Sequence, residues 1–360
     1  MIFFLENILS FVNLVIINFK ILFIKVFKKK KIVLFYHPKK KLTKNNLSFI
    51  VNHFSKEKEF YFFYVSTIKI RKKNFFLVKQ TYLKFILGVD LFLSNNICDK
   101  FTLFSQKIYI HHDIYDTPLV ERSKEKALFK KLIKYNFIVV ASKESKKVFE
   151  KILGDYSGIK IVVFRYIKID YIQNKIKSIK KSKNFTVMLA PTNFLSFPKI
   201  SIQSKLDELI TKLISNKFDV IYRPHPSNID EKKIVDLKKR YEENNFFNFD
   251  KSPDYLDSYA NSDCLLTDLS GTAYTYAITT NKPVIFFGIK DFQVNKLKYN
   301  DLNYFKNQDK IGWKINNSKK LIQILKNKRK LYSKKEKIRK FSKTFWKSKK
   351  LDLKYFLKHD

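Results

Sequence analysis

From Lys31 onward the chain alternates short apolar runs with amphipathic stretches. Ile32 to Tyr36, Phe60 to Val65, Lys107 to Ile110, Phe137 to Val140 and Ile159 to Phe164 read as strands. Between them, 44–54, 121–135 and 142–153 carry helical spacing. Ser142 predicts an N-cap for the last of these, and Gly154 a stop just past Leu153. The stretch 70–105 has no clear period. After a lysine-rich segment, 171–184, the pattern restarts. Phe185 to Leu189, Phe218 to Tyr222, Phe246 to Phe249, Cys264 to Thr267 and Val284 to Phe287 read as strands. Helices are expected over 201–215, 231–243, 254–260 and 272–279.

Continuous apolar strands alternating with helices predict parallel sheets covered on both faces. The expected architecture is therefore α/β, with two Rossmann-like domains, 31–170 and 185–317, facing a cleft across a linker at 171–184. Residues 318–360 read as basic helices that pack back on the N-terminal domain.

Residues 1–30 form a separate apolar segment. Its runs at Met1 to Leu5, Leu14 to Ile17 and Ile21 to Ile24 are interrupted by Glu6, Asn13, Asn18 and Lys20. It lacks the basic start and small-residue end of a secretory signal. An interfacial helix with its lysines on anionic headgroups is the expected form. A true span and a helix packed on the domain are the alternatives.

Charge changes this picture little. Lys+Arg total 73 against 32 Asp+Glu, a formal +41. The excess lysine is spread along a chain rich in Asn, Ile, Phe and Tyr, the residues of AT-rich codons. No zinc finger, helix-turn-helix or RNP-like motif accompanies it, so no specific nucleic-acid partner is expected. Glycine narrows the choice more. Only six are present, with no Gly-x-Gly and no pair at P-loop spacing, which excludes both the dinucleotide fingerprint and the P-loop. No Asp-x-Asp and no His/Cys/carboxylate spacing for a metal occurs, so neither metal nor cofactor is expected.

Ligands of doubly wound sheets sit beyond the carboxyl ends of the strands. Three strand ends carry chemistry there. His111 and His112 follow the strand ending at Ile110, with Asp113 next; histidine suits general base work near neutral pH. Arg223-Pro224-His225-Pro226 follows a second strand. Its prolines fix the backbone, and the forked guanidinium suits phosphate. A third strand ends at Asp268-Leu269-Ser270-Gly271-Thr272, where a helix start offers backbone N–H groups to phosphate. Each also has a plain reading: exposed loop histidines, a proline-rich turn and an ordinary N-cap.

Together with Ala190-Pro191-Thr192, Ser262 to Ser270 and Lys282-Pro283-Val284-Ile285-Phe286, these stretches resemble, in order, the CDP-glycerol glycerophosphotransferase family of teichoic-acid and capsule polymer synthesis. The resemblance covers about 105–290. It departs from the family at Asp113, where Gly is usual, and at Gly271, where a second Ser is usual. It implies a GT-B fold with an acceptor-binding N-terminal domain and a nucleotide-donor domain at 185–317. It implies that Arg223, His225, Ser270, Gly271 and Thr272 hold the donor phosphates, with Asp113, Thr192 and Asp268 in support. His112, favoured over His111, would be the catalytic base. The implied partners are a nucleotide-activated donor and a polymer or lipid-linked acceptor; the N-terminal segment adds the anionic inner-membrane surface, and the few cysteines and lack of a signal peptide suggest a cytoplasmic, membrane-peripheral enzyme. A GT-B glycosyltransferase using a nucleotide sugar is the second reading. A non-catalytic basic membrane- or nucleic-acid-binding protein is the third.

Overall fold

The computed structural model describes residues 2–37, 50, 53–54, 57–67, 74–111, 114, 125–181, 184–198, 200–252, 254–288 and 303–358. They fall into two compact units. The first comprises the described residues of 1–112, 123–167 and 349–360, and the second those of 113–122 and 168–348.

The first unit is built on a parallel sheet of β1 (Lys31–His37), β2 (Phe60–Ser66), β3 (Phe75–Leu77), β4 (Leu91–Ser94), β5 (Gln106–Ile110), β6 (Phe137–Val140) and β7 (Lys160–Val163). The spatial order is β3-β2-β1-β4-β5-β6-β7. Residues Ile32 to Tyr36 of β1 are all buried, because a central parallel strand is covered on both faces. Helix α1 (Ile2–Lys28) lies against β1, β3 and the 3-10 helix Gln80–Phe85. Helix α2 (Glu125–Leu132) leads to β6, and α3 (Lys143–Leu153) packs on β6 and β7. The expected cap is present: Ser142 Oγ accepts from Ser145 N at 3.0 Å, and Gly154 leaves the helix at φ 57°.

The second unit carries β8 (Thr186–Leu189), β9 (Asp219–Tyr222), β10 (Phe247–Phe249), β11 (Cys264–Thr267), β12 (Val284–Phe287) and β13 (Gly312–Ile315), all parallel. Their order is β10-β9-β8-β11-β12-β13. Renumbered from β8, this is the 3-2-1-4-5-6 of a doubly wound sheet, with its switch point between β8 and β11. The first sheet repeats the scheme, with its switch point between β1 and β4. Two Rossmann-like sheets are therefore present, as the alternating pattern predicted.

Several boundaries differ. The stretch without a period holds β3 and the central strand β4. The expected linker is half helix, since α4 (Ile167–Ile176) runs into it. The expected helix at 201–215 is a 3-10 turn, Ile202–Lys205, followed by α5 (Leu206–Ser215). Further helices are α6 (Lys232–Tyr241), α7 (Leu256–Asn261) and α8 (Thr272–Thr280). The basic C-terminal helices do not all return to the first unit. Ser318–Lys326 packs on α5 and β13, and Lys335–Trp346 packs on α8 by burying Ile338, Phe341 and Phe345. Only 349–360 joins the first unit, where Phe356 stacks edge-on against Phe137 at 5.0 Å. Gly312 is required at the start of β13, because a Cβ there would lie 1.9 Å from the Val284 carbonyl oxygen.

Candidate functional site

The carboxyl ends of β8 and β11 meet at the switch point of the second sheet, and hydrogen bonds fix the loops that leave them. Ala190 N donates to Leu266 O at 3.0 Å, and Thr267 Oγ1 donates to Ala190 O at 2.6 Å. Asp268 is fully buried. Its two oxygens accept from Thr192 N at 2.8 Å and Ile202 N at 2.9 Å. It thus holds the loop between β8 and the Ile202 turn from both ends. Burial pushes its carboxyl up to about 7, although the Ile202 and Thr192 N–H groups pull the other way. Thr192 contributes its backbone to this frame, and is itself buried.

Ser270, Gly271 and Thr272 form the turn into α8, partly exposed at the end of a buried strand. Ser270 Oγ accepts from Thr272 N at 3.3 Å, and the Ser270 carbonyl accepts from the Tyr304 hydroxyl at 3.1 Å. Gly271 has φ −59° and ψ −25°, ordinary right-handed backbone, so the turn does not need glycine for its conformation.

His225 lies half-buried after β9. Its Nδ1 accepts from Ser227 N at 3.2 Å, so in the neutral ring the proton sits on Nε2, which is then a donor suited to an anionic oxygen. Asn228 ties this turn to the β8 loop by accepting from Phe194 N at 3.2 Å. Arg223 departs from expectation. Its guanidinium donates to Asp250 Oδ2 at 2.7 Å, to Ser252 Oγ at 3.1 Å and to Ser252 O at 3.1 Å. Both charged side chains are largely buried, 12% and 9% exposed. Burial acts to raise the Asp250 carboxyl. The Arg223 charge, with Ser252 and Ser258, outweighs it and holds the carboxyl below its usual value. Arg223 therefore ties β9 to β10 and α7, and its positive charge is spent within the protein.

Lys282 is also structural. Its Nζ donates to the carbonyls of Tyr259 and Ala260 at 2.9 Å each, and to that of Ser262, closing the end of α7. Burial, with help from Lys181, lowers its ammonium to about 8. A groove of about 770 Å³ runs along β10 beside Lys180, Asn248, Lys251 and Asn261. None of Thr192, His225, Ser270 or Thr272 lines it.

The strand ends of the first sheet carry a different set. His37, Ser66, Ser94, Asn95 and His111 stand at the ends of four neighbouring strands, β2, β1, β4 and β5, and all five are buried. Among the described residues, the Asn95 side-chain nitrogen meets no hydrogen-bond partner. Nδ1 of His111 lies 3.0 Å from the Tyr109 hydroxyl, and its ring stacks edge-on against Phe149 at 5.3 Å. The cavity beside His111 measures about 20 Å³, room for one water. His112 and Asp113 lie outside the described residues. Sequence reasoning missed His37 and Asn95. The signal was available for His37, a histidine directly after a buried apolar run.

A family model described as CDP-glycerol:poly(glycerophosphate) glycerophosphotransferase matches residues 17–350. The chain belongs to that family. No curated protein sequence matches it. Among solved structures, a histidine-substituted variant of the wall teichoic acid polymerase TagF superposes with TM-score 0.65 at 17% identity, over 96% of this chain and 94% of that one. A second TagF variant gives 0.63 at 18% identity, over 96% and 93%. MnaA of S. aureus, in a structure with UDP, gives 0.58 at 15% identity, over 86% and 91%. These likenesses establish a GT-B-like fold for this glycerophosphotransferase. The family assignment makes the chain a transferase and displaces the non-catalytic reading. Within the glycerophosphotransferase fold, Ser270, Thr272, His225 and the Asp268 clamp stand on the β8, β9 and β11 ends of one sheet. The buried polar row, His111 included, belongs to the other.

Proposed function

We propose that this chain transfers glycerol phosphate from CDP-glycerol to a hydroxyl of a polymer or lipid-linked acceptor at the cytoplasmic face of the cell membrane. The observation that carries the reading is the switch point of the second sheet. There a partly exposed Ser-Gly-Thr turn at a helix start and the Nε2 donor of His225 stand beside the β8 loop, which Asp268 holds from both ends and Asn228 ties to the His225 turn. Two of the solved TagF structures were soaked with CDPG, which supports the choice of donor. His225, Ser270, Gly271 and Thr272 bind the diphosphate, and Arg223 positions the His225 turn from behind. The strand ends of the first sheet take the acceptor.

In the reaction the acceptor oxygen attacks the phosphorus that carries the glycerol. A new P–O bond forms, the bond from that phosphorus to the bridging oxygen breaks, and CMP leaves carrying that oxygen. His112 takes the acceptor's proton. Backbone N–H groups and the His225 donor aimed at the phosphate oxygens supply most of the rate, because the charge that spreads in the transition state lies there. Incubation of the purified chain with CDP-glycerol and an acceptor, followed by nucleotide analysis, tests this. Release of CMP with formation of a phosphodiester is expected. Turnover of nucleotide sugars with release of a nucleoside diphosphate, and none of CDP-glycerol, would refute it.

A further inference from the structure

The switch point of the first sheet lies between β1 and β4, and its polar groups stand in register. His37 is opposite Ser66 across β1 and β2, and Tyr36 is opposite Ser94 across β1 and β4. Asn95, the next residue, leaves β4 level with His37. A hydroxyl, an imidazole and an amide thus stand side by side at the ends of neighbouring strands. None of the three is more than 1% exposed. The turn that carries Asn95 is fixed by one buried hydroxyl. Tyr135 Oη accepts from Cys98 N at 3.0 Å and lies 2.9 Å from Ser94 Oγ. Asn96 Nδ2 donates to Asn95 Oδ1 at 3.0 Å, which uses the acceptor of that amide. Its donor is left over: Asn95 Nδ2 is buried and meets no hydrogen-bond partner among the described residues. A buried N–H without a partner has given up its water with nothing in exchange, so native structures keep few of them. Tyr135 holds this one at the point of a doubly wound sheet where ligands bind.

We propose that Ser66, His37 and Asn95 form a subsite for the terminal diol of the acceptor, and that Asn95 Nδ2 donates to the hydroxyl beside the one that attacks. The composition of the row selects this ligand. It carries no lysine or arginine, and the charge felt at the Asn95 turn is a carboxylate. Burial, joined by Asp99, pushes the Cys98 thiol up to about 11, against the hydrogen bonds from Tyr135 and Ser94. A phosphate would enter this row without a cation to meet it. A neutral polyol brings hydroxyls that both donate and accept, as the row does. Nδ2 suits the neighbouring hydroxyl and not the attacking one, because a donor to the attacking oxygen would occupy the lone pair it needs. The inference rests on the transfer proposed above, with the poly(glycerophosphate) of that family as acceptor, and adds the residue that reads its end.

Calorimetric binding to the full chain, without donor, tests it. Two short synthetic glycerol-phosphate oligomers are compared. One ends in glycerol, and the other in a 3-hydroxypropyl group, which lacks the secondary hydroxyl. The wild type is expected to bind the glycerol end about tenfold or more tightly. Asn95→Leu, close in volume, should bring the two Kd values together. It should melt no lower than the wild type, since it removes a bare amide. Tyr135→Phe loosens the turn and should shrink the preference severalfold; it serves if the Asn95 variant does not fold. A wild-type ratio near one would leave Nδ2 to an internal water and overturn the inference. Absence of binding to both oligomers would overturn it too. So would a preference that Asn95→Leu leaves intact or, where that variant does not fold, one that Tyr135→Phe leaves intact. CMP release is read separately. No CMP with either oligomer, beside an intact binding ratio, would strike the proposed function alone. CMP release with no preference between the oligomers, in binding or in kcat/KM, would strike the subsite alone.

Discussion

The two sets of strand ends in this molecule are built on one topology and furnished in opposite ways. At the second sheet the ionisable groups are satisfied inside the protein: Asp268 accepts from two backbone N–H groups, and Arg223 pairs with Asp250. Among the described residues, what the Ser270 turn and His225 offer a ligand is uncharged: the hydroxyls of a helix-start turn and an imidazole donor. At the first sheet the buried row holds no fixed charge. It is His37, Ser66, Ser94, Asn95 and His111. On the proposed function, the contrast separates two tasks. A frame of internally paired charges is rigid, and holds dipoles ready for phosphate without reorganising. A row of histidines and neutral polar groups suits binding a hydroxyl and moving its proton.

The sharpest way to break this division is at the tandem histidines. His112→Ala should lower turnover about 10²- to 10⁴-fold, with the KM for CDP-glycerol little changed. His111→Ala should act mainly on stability, since that ring is packed between Tyr109 and Phe149. Steady-state kinetics and urea unfolding of both variants decide it. The reverse result would make His111 the base.

The second test addresses the frame. Removing one partner of a largely buried pair leaves an uncompensated charge, so Asp250→Ala should cost about 3–5 kcal/mol of stability. Replacing both partners, Arg223→Met with Asp250→Leu, should recover most of that loss in urea unfolding. If Arg223→Met instead leaves stability untouched and raises only the KM for the donor, the guanidinium is a phosphate ligand after all. A smaller effect belongs to His225→Gln. Loss of one hydrogen bond to a charged group should raise that KM about tenfold or more, with stability nearly unchanged.

The comparison also shows where sequence was informative. Strand ends were readable because a parallel strand is a continuous apolar run, and the first polar residues beyond it stand where ligands bind. Ile110, Tyr222 and Thr267 mark such ends. The frame was not readable. Asp250 lies 27 residues beyond Arg223 and meets it only because β10 pairs with β9. Ser66, Ser94 and Asn95 look like ordinary loop starts until the strand order aligns them. β4 escaped because four residues after Gly88 and Asp90 give too short a run. β13 escaped because an edge strand with Lys314 exposed is neither continuous nor cleanly alternating.

The gentlest test is pH, and it rests on Asp268. Its carboxyl is raised to about 7 in the folded chain, from 3.8. Between those values the folded chain holds a proton that the unfolded chain has released. Stability must therefore fall as pH rises through this window and level off above it. The slope from one group is at most about 1.4 kcal/mol per pH unit. Glu57, raised first by burial and then by Asp352, adds a slope of the same sign. Asp268→Asn should therefore reduce the slope measured by urea unfolding between pH 4 and pH 7 without abolishing it. The asparagine can still accept one of the two N–H groups, from Thr192 or Ile202, but turns an amide donor toward the other. The variant should thus be less stable at every pH while depending on pH less. An unchanged slope would mean that the two backbone N–H groups keep Asp268 ionised despite its burial, and the frame of the second sheet would then carry one more fixed negative charge than its exposed turn suggests.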